Sequence, residues 1–249
     1  MPVSATKVLK FVVYMFAYRI ALLITFLTIY IAVPNGIAGF VNIKILNIPV
    51  YVFLWVPFVF EIICTIIPAF NHSSSSGRHF RRNAKICSSF DKARLKKYTS
   101  SQNMMAFLFF VLWFSFNLDI GILYLTDEID LEEILLLVSV YCVLDKAFVL
   151  FGCPLHHSYF KNRCCCVCRI HNWDFLLVTF PLLFIDNFFA VSIPVLGLVA
   201  ALQWELLYFL HPERFFDESN CILKCEHCTD KLCALRQRRL KGDKKNILK

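Results

Sequence analysis

The sequence carries too little charge for a water-soluble protein. Charged residues make up only 18% of its 249 residues, whereas hydrophobic residues make up 58% and the mean hydropathy is +0.61. A soluble domain needs roughly a quarter of its residues charged to cover its surface. The apolar residues also occur in blocks of about 20, which is the length of a lipid-spanning helix. The composition therefore excludes an ordinary soluble domain and predicts an all-α integral membrane protein.

Signatures of several enzyme and transporter classes are also missing. The sequence contains no nucleophile-triad signature, no phosphate-binding loop and no HExxH metalloprotease motif. It shows no internal repeat of the kind that builds inverted-repeat transporters. These absences favour a membrane component that is not an enzyme.

Long apolar runs predict the membrane spans. Four runs cover residues 11–33, 48–70, 104–125 and 134–152. The first run is too long for a secretory signal, contains Arg19 and lacks a cleavage site, so we interpret it as an uncleaved span. The run 175–210 would be about 54 Å long as one helix, against a hydrocarbon core of about 30 Å. It predicts a helical hairpin of two short spans, each roughly 15 to 20 residues long, that turns near Asp186 and Asn187.

The basic residues predict the topology. The loop 71–103 has eight Lys or Arg residues against one acid, Asp91, and the chain after His211 has ten against six. The acidic segment between the third and fourth runs has no basic residue. Basic loops stay on the cytoplasmic side. Six spans place residues 1–10, the loop 71–103, the segment 153–174 and the tail 211–249 in the cytoplasm, and we expect the cell membrane as the location.

Nine of the twelve cysteines lie in two clusters on either side of the predicted hairpin, which would bring both clusters to one face. The Cys-x-x-Cys spacing of Cys225 and Cys228 is typical of two thiolates that bind one metal ion. Together with Cys221 and Cys233 they complete a set of four, the usual number for Zn²⁺ or an iron–sulfur cluster. We predict a thiolate metal site on the cytoplasmic face, with zinc favoured over an iron–sulfur cluster.

The upstream cluster offers further candidate ligands, namely Cys153, Cys164, Cys166, Cys168, His156 and His157. The predicted reducing side disfavours structural disulfides, which strengthens the metal interpretation. S-palmitoylation of Cys164 to Cys166 is an alternative. Cys64 and Cys142 lie inside predicted spans and are expected to be small core residues, and Cys87 is expected to take no part.

Four ionisable residues lie within predicted spans, and such residues are candidates for function. Helical rise places Arg19 about 12 Å and Glu61 about 14 Å from the cytoplasmic ends of their spans, which predicts an ion pair. Asp145 and Lys146 lie at a slightly shallower level in the fourth span. Together they would form a polar patch suited to a proton, a quinone or an anion, or a salt bridge that only fixes helix packing.

Three functions remain open. The first is a membrane component whose cytoplasmic zinc site has a structural, sensing or partner-docking role, with a protein partner or a second copy of the chain. The second is a redox protein that passes electrons from an iron–sulfur or dithiol site to a quinone, and the third is a metal or ion transporter. The basic loop and tail are expected to attract anionic lipid, whereas nucleic-acid binding is not favoured.

Overall fold

The computed structural model describes residues 5–67, 84–151, 153, 159 and 167–224. In chain order the α-helices are α1 Ala5–Ala32, α2 Gly36–Asn42, α3 Val50–Ile66, α4 Lys92–Leu125, α5 Leu131–Phe151, α6 Arg169–Asn172, α7 Asp174–Thr179 and α8 Phe188–Leu210. Short 3₁₀ helices cover Phe180–Phe184, Pro212–Arg214 and Cys221–Leu223. The strands of the described residues form one small hairpin, β1 Lys44–Ile45 with β2 Ile48–Pro49.

Four of these helices are long and apolar enough to cross a membrane. They are the Lys10–Ala32 part of α1, and α4, α5 and α8. Two shorter apolar helical segments, α3 and Asp174–Phe184, accompany them. This finding confirms the predicted helical architecture and the presence of several helices of membrane-crossing length.

The bundle has two chemically distinct ends. We call the end at which α1 and α4 begin, and α3, α5 and α8 end, the basic end, because it carries the cations of residues 85–97. The opposite end carries the acidic residues of 127–133. Between the two ends, α3, α5, α7 and α8 enclose the main apolar core, which includes Phe58, Ile134 and Ile193.

The segment 174–210 folds back on itself, with its turn at residues 185–187. Asn187 caps α8 by accepting a 2.8 Å hydrogen bond from the Phe189 N–H. The arms run antiparallel, since Trp173 before α7 donates to Glu205 near the end of α8. They are unequal: α8 has 23 residues, whereas the first arm has six in α7 and five in the 3₁₀ helix that contains Pro181. The predicted turn is present, and the prediction of two similar arms is wrong.

Helix α4 begins twelve residues before the third apolar run. Asp91 caps it by accepting a 2.8 Å hydrogen bond from the Ala93 N–H. The next residues include Ala, Leu, Arg and Lys, which are good helix formers. The chain is therefore already helical over the twelve residues before Met104, where the apolar run begins. The second half of the predicted basic loop is therefore helical.

A small cap covers the basic end. Its two segments are residues 84–90, before α4, and residues 211–224, after α8. The Cys87 N–H donates to the Ser219 carbonyl at 2.8 Å, and the Cys221 N–H donates to the Lys85 carbonyl at 2.9 Å. Phe215 is fully buried against Trp204 of α8, which fixes the cap to the bundle.

Candidate functional site

Four charged side chains meet inside the bundle near its basic end. Arg19 comes from α1, Glu61 from α3, and Asp145 and Lys146 from α5. Glu61 and Asp145 are five and six residues from the ends of their helices, so helical rise places them at similar depth. We call these four residues the charge cluster.

The charge cluster is a closed ring in which cations and carboxylates alternate. The Arg19 guanidinium donates to Glu61 Oε2 at 2.7 Å and to Asp145 Oδ2 at 2.9 Å. The Lys146 ammonium lies 2.9 Å from Glu61 Oε1 and 3.0 Å from Asp145 Oδ2. The ion pair between Arg19 and Glu61 that equal depth predicts is present, and each carboxylate contacts both cations.

The ring is shielded from its surroundings. The side chains of Arg19 and Lys146 are 2% and 9% exposed, and those of Glu61 and Asp145 are 12% and 10% exposed. Two cations and two carboxylates leave the ring with no net charge. A buried ion pair is tolerated only when its geometry compensates for lost hydration, and these distances provide that compensation.

A third carboxylate lies against this neutral ring. Asp174 begins α7, and one of its carboxylate oxygens lies within 4.8 Å of a carboxylate oxygen of Asp145 and of a ring nitrogen of His171. One Asp174 oxygen accepts a 2.8 Å hydrogen bond from the Phe175 N–H. Sequence reasoning missed Asp174, because an acid directly before an apolar helix is usually an exposed cap. One signal was available in the sequence. Asp174 directly precedes the predicted hairpin, and a hairpin that packs beside the earlier spans brings this residue close to their charged side chains.

Asp145, His171 and Asp174 together have the composition of a small metal site. However, Asp145 Oδ2 already accepts from both Arg19 and Lys146. A metal ion there would lie beside two fixed positive charges, which oppose its binding. We therefore assign no metal to this group.

A second ion pair joins α6 to α8. Arg169 of α6 donates to Glu205 Oε2 at 2.8 Å, and its guanidinium lies 4.3 Å from the ring centroid of Tyr208. Trp173 donates to the other oxygen of Glu205 at 2.9 Å. These two contacts of Glu205 fix the start of the hairpin to α8.

The cysteine predictions need a correction. Cys221 forms a disulfide with Cys87, with 5.5 Å between the two Cα atoms. A disulfide sulfur has no thiolate charge to offer a metal ion, so Cys221 cannot belong to the predicted four-thiolate set while this bond is present. The expectation that Cys87 takes no part is also wrong. The pairing joins segments 134 positions apart, which local spacing cannot reveal.

The other cysteine candidates are only partly described. Cys168 is buried against Ala106 of α4, and Cys153 is half-buried. Cys142 is buried in α5 beside the charge cluster, as expected of a core residue. The remaining candidates lie outside the described residues: Cys164, Cys166, Cys225, Cys228, Cys233, His156 and His157.

An apolar cavity of about 180 Å³ lies beside the charge cluster in the bundle interior. Phe58, one turn from Glu61, and Cys142, one turn from Asp145, belong to its lining. Arg19 lies 5.4 Å from the ring centroid of Phe58. The charged ring is thus next to an apolar wall, where fixed charges interact strongly.

No protein-family model, no curated protein and no solved structure matches this chain.

Proposed function

We propose that this chain is a multi-pass membrane protein that binds and releases a proton at Asp174. The observation that supports the proposal is a third carboxylate placed against a ring that is already neutral. Three carboxylates beside two cations leave one negative charge in excess, and an uncompensated charge in an apolar interior is costly. One bound proton removes that cost.

The charged and titratable groups around Asp174 come from four elements. Asp145 and Lys146 lie on α5, Glu61 on α3, Arg19 on α1, and His171 on α6. When Asp174 holds a proton, the ring and its neighbour are neutral together. When it releases the proton, its charge repels Asp145 and attracts Lys146, which weakens the bonds that close the ring. Proton release would thereby change how the hairpin packs against α5.

The topology in which this proton moves is also a proposal. We propose six membrane crossings, with the N-terminus, the basic loop and the tail in the cytoplasm and the cell membrane as location. The positive residues of the basic end support this orientation. The proton site would then be reached from the cytoplasmic side, as in the ion-transport alternative.

Infrared spectroscopy of the protein in lipid vesicles tests the proposal. A protonated carboxyl has its own C=O stretching band, which disappears when the group ionises. We expect a band that titrates with pH in the wild type and is absent from D174N. The matched control is D186N, which removes an exposed acid at the hairpin turn and should keep the band. A titrating band that persists in D174N overturns the proposal.

Cysteine chemistry is a second candidate function, and the Cys87–Cys221 disulfide favours its redox form. In the predicted direction, the dithiol of Cys87 and Cys221 passes two electrons and two protons to a quinone, which becomes a quinol while the disulfide forms.

The zinc-binding and partner-docking proposal now rests on Cys225, Cys228 and Cys233, with the upstream cluster. Elemental analysis and thiol counting of anaerobically purified protein separate the two. Zinc at about one equivalent favours docking, and two thiols lost when a quinone is added to the reduced protein favour redox.

A further inference from the structure

A groove of about 860 Å³ lies on the surface at the basic end, between the first four turns of α4 and the segment after α8. One wall is a single stripe of α4. The other wall consists of Phe90, Pro212 and Glu213. This groove is separate from the charge cluster and from the cavity beside it.

The α4 wall changes character along its length. Lys92 and Lys96 come first, at a spacing of four residues that places them on one helix face. Three small polar residues follow on the same face: Thr99, Ser100 and Asn103. Met104 and Phe107 end the stripe, and they are 60% and 63% exposed. From Lys92 to Phe107 the helix rises about 22 Å.

Met104 begins the apolar part of α4. In the proposed topology, residues before Met104 lie in the headgroup region and residues after it lie in hydrocarbon. The order along the groove is therefore cation, hydrogen-bonding group, apolar surface. A glycerophospholipid presents the complementary order of phosphate, ester and acyl chain.

The opposite wall is held in place by three contacts. The Cys87–Cys221 disulfide joins the cap to the segment before α4. Arg94 lies 3.5 Å from Glu218, and Tyr98 stacks on Phe216 with 4.5 Å between ring centroids. The last two contacts do not depend on the disulfide, and they keep the groove open without a ligand. A preformed site loses less entropy on binding.

We propose that this groove binds one anionic glycerophospholipid. The phosphate lies against Lys92 and Lys96, the ester groups face the polar residues, and the start of one acyl chain covers Met104 and Phe107. Glu213 contributes one negative charge to the wall and lies 3.2 Å from His211. With two lysines against one carboxylate, the groove suits a headgroup of one net negative charge, such as phosphatidylserine or phosphatidylglycerol.

The test is native mass spectrometry of the full chain, released from nanodiscs of phosphatidylglycerol and phosphatidylcholine. We expect one retained phosphatidylglycerol on the wild type. In K92Q/K96Q its apparent affinity should fall about thirtyfold, since each of the two lysines near the surface contributes about 1 kcal/mol. The matched control is K85Q/K97Q, which removes the same charge from α4 and its flank without touching the groove. F107S, at the apolar end, should also weaken retention.

Three outcomes overturn the proposal. An equal loss in both double variants means general attraction of lipid to a basic surface. No loss in either means that the lipid binds elsewhere. Displacement of the lipid by millimolar inorganic phosphate, with F107S unchanged, means a site for soluble phosphate. The infrared result for Asp174 affects none of these outcomes.

Discussion

At the residue scale, Glu61 holds the charge cluster together because it contacts both cations. Glu61→Gln would leave Arg19 and Lys146 sharing the single carboxylate of Asp145. Breaking a buried ion pair from one side costs about 3–5 kcal/mol, because the other charge stays buried without compensation. We expect a clearly lowered midpoint of thermal unfolding in detergent.

A second substitution makes the Glu61 prediction specific. Lys146→Met removes the surplus cation, so the double variant keeps a neutral Arg19–Asp145 pair. E61Q/K146M should therefore be less destabilised than the sum of the two single variants. Glu128→Gln, which neutralises an exposed acid at the other end, should leave the midpoint unchanged. If the double variant lowers the unfolding midpoint by the sum of the two single effects, Glu61 and Lys146 do not interact as the ring requires.

Glu132 is the second residue whose loss should be costly. Its Oε1 accepts hydrogen bonds from the Ile37 N–H at 2.7 Å and the Ala38 N–H at 3.1 Å, at the start of α2. Glu132→Ala leaves the buried Ile37 N–H and the partly buried Ala38 N–H without an acceptor. This loss should lower the free energy of unfolding by about 1–3 kcal/mol. Equilibrium unfolding in mixed detergent measures this loss. Stability equal to the wild type would show that water replaces the carboxylate.

At the element scale, the sequence predicts the long helices well because lipid imposes a minimum apolar length. It could not predict α2, which depends on Glu132 from α5 for its first N–H groups. Nor could it predict where α4 begins, since the polar residues before Met104 suit a loop as well as a helix. The short length of the first hairpin arm depends on packing against α8, and the composition of the segment does not predict that packing.

Gly197 sets how closely the two hairpin arms approach. A Cβ at this position would lie 2.8 Å from the Leu176 N atom and 3.0 Å from the Phe175 carbonyl carbon, both backbone atoms of α7. Backbone cannot move aside as a flexible side chain can, so Gly197→Ala should cost about 1–3 kcal/mol. Because Phe175 follows Asp174, the infrared titration of the carboxyl should also shift.

Gly39 provides the matched control for Gly197. It lies in α2, and a Cβ there would meet no atom within 4 Å. Gly39→Ala should be neutral or stabilise by about 0.5–1 kcal/mol, because alanine is the better helix former. Equal destabilisation by the two substitutions would show that the hairpin arms are not in close contact.

At the scale of the whole molecule, the sequence predicts contacts between residues at the same depth along neighbouring helices. It does not predict contacts between segments that are far apart in the chain. Arg19 and Glu61 could be paired because helical rise converts sequence position into depth. Asp174 joins them only because the hairpin returns to α5. The partner of Cys221 could not be found from Cys-x-x-Cys spacing, since Cys87 lies on another segment.

The Cys87–Cys221 disulfide connects the segment before α4 to the chain beyond α8, across 134 positions. A crosslink over so long a loop limits the freedom of the unfolded chain and typically stabilises by about 2–4 kcal/mol. We expect Cys87→Ser and Cys221→Ser to lower the unfolding midpoint equally, and the double variant to fall no further. Cys64→Ala, outside the bond, should have little effect. Unequal unfolding midpoints of the two single variants would mean that one cysteine contributes to stability without the bond.

The same bond tests the orientation of the molecule. The basic end is proposed to face the cytoplasm, where structural disulfides do not persist. Alkylation of living cells before lysis, followed by mass spectrometry of the Cys87 and Cys221 peptides, shows which state exists in the cell. We expect both thiols alkylated in cells, with the bond forming after purification in air. A bond already present in cells would place the basic end in an oxidising compartment and reverse the proposed topology.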